Sequence, residues 1–384
     1  MAPPPPDLLT ARHERVRAAL GREGLDALVM FHLPNIRYLT GFAGSTAVAV
    51  LGRDDIVLVT DGRYITEVET IVAPGCPGLK LVRVDQTYDA TLASLLRGID
   101  LPRVGFESAH LTVKRFDALT AALRDTPSRG AGALVPAERL VEAVRIGKDA
   151  AELAVFRRAG ALISAVAREV LGGVRPGQRE WELAADIDDR IRRGGFERPA
   201  FDTIVASGPN GALPHARPGD RRLQPGDLVV LDFGGVYDGY CVDITRTVSI
   251  GQPGTEARRV YDAVAAAQMA AAGAVRPSAA VTDVDEAARA VLEARGLGPA
   301  FSHATGHGLG LEIHEEPRVG PRRTDIPGVP PAGRDDRLEP GVVFTIEPGA
   351  YVPGFGGVRI EDDVVVTEAG VEWLTDAPRE LLVV

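Results

Sequence analysis

Residues 10–24, TARHERVRAALGREG, repeat apolar positions at helical spacing, with Thr10 placed as the N-cap and Gly24 as the stop. The period then changes. LDALVMF is a continuous apolar run that predicts a buried strand, and AVAVLG, DIVLVTDG, LKLVRV, RVGFE and GALVPA are further short β-like runs. Helical stretches around residues 89–98 and 112–124 lie between them, so the pattern predicts a mixed sheet with helices. From 137 to 195 the apolar spacing is helical again. It predicts a linker helix near residue 140, a long helix opened by an Asp149…Glu152 capping box, and a second, REWELAADIDDRIRRGG, ending at Gly194-Gly195. Beyond Phe201 strands and glycine dominate, apart from an Ala-rich helical pair over 256–296. Two domains are expected, 1–138 and 139–384, with a frayed Pro-rich end at residues 3–6 and a surface loop at 322–337.

The length of 384 residues agrees with two domains, and 45% hydrophobic with 25% charged residues is ordinary for a soluble globular protein. A net charge of −10 argues against nucleic acid or an anionic membrane as partner. Two cysteines, Cys76 and Cys241, cannot make a disulfide framework or a cysteine-rich metal site. With neither a basic-then-apolar leader pattern nor a long apolar run, the expected location is the cytoplasm, with no membrane span. Of seven histidines, four fall between His215 and His314, so any metal site must rest mainly on carboxylates.

Residues 228–250, LVVLDFGGVYDGYCVDITRTVSI, are two β-runs around Asp238-Gly239, a strong hairpin signal. Asp232 and Asp243 are symmetric about a midpoint between residues 237 and 238, which predicts that they face each other across the ladder. Buried carboxylates in that position repel unless one is protonated or a cation lies between them. VVFTIEPGAYVPGFGGVRIEDDVVV repeats the arrangement, with Glu347 and Glu361 symmetric about Gly354. Asp362 and Asp363 follow at once, and one of these three adjacent acids is expected to be solvated.

Between the hairpins, HATGHGLGLEIHEEP gathers His303, His307 and His314. Gly306, Gly308 and Gly310 argue against a helix there, and H-E-x-x-H is absent, which removes the helical single-zinc protease pattern. GHGLG also lacks the spacing of a dinucleotide loop. Each feature alone has an ordinary explanation: a solvated turn acid, a structural histidine beside glycine, Glu315 and Glu316 on a polar face. Together, two opposed acid pairs with histidines between them point to a metal centre.

LPHARPGD, LDFGGVYDGYCVDITRT, TGHGLGLEIHEEP, FTIEPGAY and GVRIEDD resemble the successive signatures of the aminopeptidase P and prolidase group of metallopeptidases. LDALVMFHLPNIRYLTGFAGS, LVTDGRY and the linker VRIGKDAAELAVFRRAG are similar to the same group, so the resemblance spans nearly the whole chain. It implies a C-terminal pita-bread fold (α+β) preceded by a smaller, creatinase-like α/β domain with a mixed sheet. It also implies two divalent metal ions, manganese first, with cobalt, zinc or iron as alternatives. In the family pattern Asp232 binds one metal, His307 and Glu347 the other, and Asp243 and Glu361 bridge them. Glu347 doubles as proton acceptor. His215 and His314 stabilise the oxyanion, His303 lines the proline subsite, and Arg359, on the strand face of Glu361, orients a ligand or a substrate group. Tyr237 and Arg318 are weaker candidates.

The activity so implied is hydrolysis of the bond before proline in short peptides, by a homodimer. It is expected as an Xaa-Pro aminopeptidase, with an Xaa-Pro dipeptidase as the alternative. Arg322 and Arg323 would capture a dipeptide's carboxylate. Methionine aminopeptidases usually lack such an N-terminal domain, creatinase lacks the intact ligand set, and an inactive binding module would have lost ligands that are all present here.

Overall fold

The protein is described here by a computed structural model covering residues 4–98, 101–124, 131–321 and 337–384. The chain forms two compact units, residues 1–145 and 146–384.

In the first unit the short apolar runs become strands β1 (Ala27–Met30), β2 (Val48–Leu51), β3 (Ile56–Thr60), β4 (Leu79–Arg83), β5 (Leu101–Glu107) and β6 (Ala131–Ala137), ordered β4-β3-β2-β1-β5-β6. β1–β2 and β2–β3 pair antiparallel and the other neighbours parallel, so the sheet is mixed. The first helix runs Pro6–Arg22, earlier than expected. Thr10 is not its cap but lies inside it, its hydroxyl donating to the Pro6 carbonyl at 2.9 Å. Pro6 suits the first turn because no intrahelical partner awaits an N–H there. A further helix, Leu33–Thr40, ends at Gly41 in the left-handed region (φ 75°). Its proline-containing start and short length hide it from periodicity.

The second unit opens with the capping-box helix Ala150–Gly173, where Asp149 accepts from the Ala151 and Glu152 N–H groups. Helices Glu180–Arg193, Thr255–Ala274 and Val281–Ala294 follow. Among the described residues, twelve strands complete it. They are β7 (Arg198–Pro199), β8 (Ile204–Ser207), β9 (Leu228–Tyr237), β10 (Tyr240–Ser249), β11 (Gly306–Gly308), β12 (Glu315–Val319), β13 (Val343–Ile346), β14 (Gly349–Val352), β15 (Gly356–Arg359), β16 (Glu361–Thr367), β17 (Gly370–Trp373) and β18 (Leu382–Val383). The main sheet runs β12-β11-β13-β16-β10-β9-β7, with β17 on β16, β18 on β10 and β8 on β9; β14 and β15 pair separately. Alternate side chains serve different cores. Val343 and Val365 join a cluster with the helices 150–173 and 180–193, while Phe344, Ile346, Val364 and Val366 join one with the Ala-rich pair.

Candidate metal centre

Asp238 (φ 51°) and Gly239 (φ 80°) both adopt left-handed conformations, making a two-residue turn closed by the pair Tyr237–Tyr240. The ladder is therefore centred between 238 and 239. Asp232 pairs with Thr245, and Asp243 with Gly234. The expected face-to-face aspartates are instead diagonal neighbours. A slip of two residues keeps both on one face. That face is opposite to Leu231, Phe233, Val242 and Ile244, which enter the hydrophobic core.

The second hairpin keeps its expected symmetry. β14–β15 pair from Val352–Gly356 to Gly349–Arg359, and β13–β16 resume the same register with Ile346–Asp362. Glu347 and Glu361 occupy corresponding positions at the break between these ladders, where the Ile360 N–H reaches the Pro348 carbonyl at 3.4 Å. Thr245 ties the two hairpins together: it pairs with Glu361, and its hydroxyl donates to that carboxylate at 2.6 Å. The expectation of a solvated acid among residues 361–363 is corrected, because all three are buried. Asp362 accepts from Arg246 (2.8 Å), Arg379 (2.8 Å), Thr375 (2.8 Å) and Gln268 (2.9 Å). Asp363 accepts the Asp243 N–H at 3.0 Å.

His307 lies on the short strand β11, and close backbone approach explains its glycine neighbours. A Cβ on Gly306 would stand 1.8 Å from the Thr345 carbonyl oxygen, and one on Gly308 would stand 2.2 Å from that of Glu316. Burial, then the neighbouring His314, holds His307 down to about 4, so its ring is neutral at pH 7. Nδ1 lies 3.0 Å from the Gly308 carbonyl and must carry the hydrogen. Nε2 therefore turns a lone pair toward the acids, 3.7 Å from Glu347 Oε1 and 4.0 Å from Asp243 Oδ2.

The other histidines gather beside it. The His314 ring is 4.3 Å from that of His307, and its pKa is lowered by burial and by His215. His303 is held down to about 4, first by burial. Its Nδ1–H donates to the Ala304 carbonyl at 2.7 Å, so Nε2 accepts from the Tyr351 hydroxyl at 2.9 Å. His215 and His314 are exposed at the residue level. Arg359 is buried and donates to Asp232, to Tyr351 Oη at 2.6 Å and to Thr245 Oγ1 at 3.3 Å.

The electrostatics leave these acids short of donors. Burial, then the charges of Glu361 and Asp232, pushes Asp243 well above the usual carboxylate range. Burial, then Glu347 and Asp232, does the same to Glu361. Glu347 is pushed up to about 8, chiefly by burial. The Oδ1 atoms of Asp232 and Asp243 are buried without a hydrogen-bond partner. Ligand atoms of Asp243, His307 and Glu361 lie within 4.8 Å of one another. Four carboxylates with one neutral imidazole suit hard or borderline divalent cations, so the residues present fit the implied metals. His32, His110 and Glu142 also cluster, but the two rings stack 7° from parallel with centroids 3.8 Å apart. Their in-plane lone pairs run side by side and do not converge on one ion.

Thr245, Thr345 and Tyr351 escaped the sequence reading. Thr345 accepts the His307 N–H at 3.1 Å. The signal for Thr245 was its placement opposite Asp232, visible only with the turn correctly centred. Tyr237 packs edge-on to Phe196, and Arg318 is exposed on β12 in register with His307. Arg322 and Arg323 lie outside the described residues.

Residues 154–368 match metallopeptidase family M24, and residues 12–146 match the creatinase/prolidase N-terminal domain. An Xaa-Pro dipeptidase of Pyrococcus horikoshii is 30% identical, covering 98% of this chain and 100% of its own. An Xaa-Pro dipeptidase from Bacillus anthracis has a structure similar to this one with a TM-score of 0.90 at 32% identity, covering 98% of this chain and 100% of that one. For an X-Pro aminopeptidase from Thermotoga maritima the TM-score is 0.82 at 32% identity, covering 96% and 100%. Fold and site define a metallopeptidase with a pita-bread catalytic fold and a creatinase-like N-terminal domain. The chain belongs to metallopeptidase family M24.

Proposed function

We propose that this metallopeptidase is an Xaa-Pro dipeptidase whose two divalent cations are held by Asp232, Asp243, His307, Glu347 and Glu361. The observation carrying the metal assignment is the neutral Nε2 of His307 turned into buried carboxylates, two of whose oxygens lack partners. Asp232, Asp243, His307, Glu347 and Glu361 would hold the two cations between them, four anionic carboxylates and one neutral imidazole against two divalent charges. Manganese is the assigned metal, since four carboxylates outnumber one imidazole. When bound, such a pair lowers the pKa of a water and polarises the scissile carbonyl.

The remaining work falls to the chain. Glu347, as the carboxylate, would accept the proton of the attacking water. His314 and His215 donate to the carbonyl oxygen as its charge develops. His303, neutral and fixed between Ala304 and Tyr351, walls the proline subsite. Arg359 orients the Asp232 carboxylate. The same reading makes the protein a cytoplasmic homodimer. No helix among the described residues is long and apolar enough to cross a membrane.

The sequence reading ranked the aminopeptidase first; the comparisons favour the dipeptidase. Support comes from full-length similarity, in sequence and in structure, to proteins named Xaa-Pro dipeptidases. Manganese-loaded protein should hydrolyse Xaa-Pro with a kcat/KM on the order of tenfold or more above that for Xaa-Pro-Xaa. Equal or faster cleavage of the tripeptide would overturn the dipeptidase in favour of the aminopeptidase, and activity surviving exhaustive chelation would remove the metal assignment.

A further inference from the structure

Away from the metal centre, one buried carboxylate collects an unusual number of donors. Glu180 opens the helix Glu180–Arg193 and is fully buried. Its Oε1 accepts from the Ser207 N–H (2.8 Å), the Ser207 hydroxyl (2.7 Å) and Asn210 Nδ2 (3.0 Å). Its Oε2 accepts from the Gly219 N–H (3.1 Å) and again from Asn210 Nδ2 (3.1 Å). A carboxylate belongs in the first turn of a helix, where the dipole favours it, but complete burial demands donors as well.

Those donors lie at both ends of one segment. Ser207 and Gly219 bracket the stretch that carries Leu213, Pro214 and His215. The segment has little apolar anchorage of its own: Leu213 is 60% exposed, and Ala216 is its buried apolar side chain. Polar contacts hold it instead. Arg221 donates to the Ser207 hydroxyl at 2.6 Å and pairs with Asp227 at 2.5 and 2.8 Å. In the middle, the Pro214 carbonyl accepts from Arg359 at 3.3 Å. His215 is itself exposed, so its aim comes from the backbone.

We propose that Glu180 is a positioning residue for the hydrolysis: by tying both ends of residues 207–219 it sets where His215 stands against the substrate. This rests on the role of His215 proposed above. An oxyanion donor acts in the transition state, so a misplaced one lowers kcat with little change in KM.

The test is a double-mutant cycle on metal-loaded enzyme with an Xaa-Pro dipeptide, reading kcat, KM and the thermal midpoint. His215→Ala is expected to lower kcat by about 10²–10³-fold. Glu180→Gln keeps the shape but turns donors toward donors, and kcat should fall about tenfold with KM little changed. In the His215→Ala background Glu180→Gln should lower kcat no further, because nothing remains to be aimed. Asn210→Ala, which removes one side chain from the clasp, should act in the same direction but less. If Glu180→Gln does not fold, the Asn210→Ala/His215→Ala cycle makes the same comparison. Multiplicative losses, or an unchanged kcat with only a lowered thermal midpoint, would overturn the positioning role and leave that of His215 standing. An unchanged kcat in His215→Ala would overturn both.

Discussion

Each unit buries an acid, and the surroundings of the two differ. Glu107 in the first unit is 5% exposed and accepts from the N–H groups of Phe31 (2.7 Å) and His32 (2.8 Å) and from Asn35 Nδ2 (2.7 Å). Burial raises it only to about 6. Asp243 in the second unit is equally buried, yet its Oδ1 has no hydrogen-bond partner and four further carboxylates crowd it. Where the chain supplies donors, a buried carboxylate is a structural bolt. Where it withholds them and adds like charges, the fold carries a local instability that a cation relieves.

The largest expected effect sets these two acids apart directly. Asp243→Asn should cut kcat by about 10³-fold or more, yet raise the thermal midpoint of the metal-free protein, because the cost of burying an ionisable carboxyl among other acids disappears. Glu107→Gln should do the reverse, costing about 1–3 kcal/mol of stability in chemical denaturation and leaving kcat unchanged. A metal-free Asp243→Asn protein less stable than its parent would break the distinction. Next in size is His314→Ala, expected to lower kcat by about 10²–10³-fold. A weaker KM with an unchanged kcat would show that His314 binds substrate without stabilising the oxyanion.

The pH dependence sharpens the same contrast. Between the ordinary value of 4.5 and about 8, the folded, metal-free chain retains on Glu347 a proton that the unfolded chain has released. Its stability must therefore fall as pH rises through that window. His303 and His307, held down to about 4, act in the opposite sense, but only below 6.5, where the unfolded chain gains protons that the folded one refuses. Glu107, raised to about 6, contributes only the tail of its titration above pH 6.5. Urea midpoints at pH 6.5 and 8 should thus decline without metal and decline less with saturating manganese; an equal decline would disconnect the acids from metal binding. The smallest effect belongs to Tyr351→Phe. Losing the hydroxyl between Arg359 and His303 should cost about 1 kcal/mol and less than tenfold in kcat, both measurable on purified protein.

Much of this arrangement could be read along the chain because it is local. The strands of the first unit are apolar runs between turn residues, and the symmetry about Gly354 predicts the second hairpin's register. The first hairpin's register lies two residues from symmetry about its acids, and the Asp238-Gly239 turn is the local signal that fixes it. The shared face survived because strand alternation has a period of two. The environment of residues 361–363 was not accessible in this way. Asp362 is buried on the strength of Arg246 and Gln268, which are 116 and 94 residues distant. The grip of Glu180 on Ser207 and Gly219 is equally non-local, spanning 27 and 39 residues, so no window of sequence displays it.

The broken hairpin bears on how such a protein can diversify. β13–β16 fixes the opposition of Glu347 and Glu361 from below, independently of β14–β15 and the turn at Gly354 above. Residues added at that turn would alter the rim while the lower ladder kept the two glutamates in phase. The hairpin is modular: its tip can be rewritten while the two glutamates beneath it stay in phase.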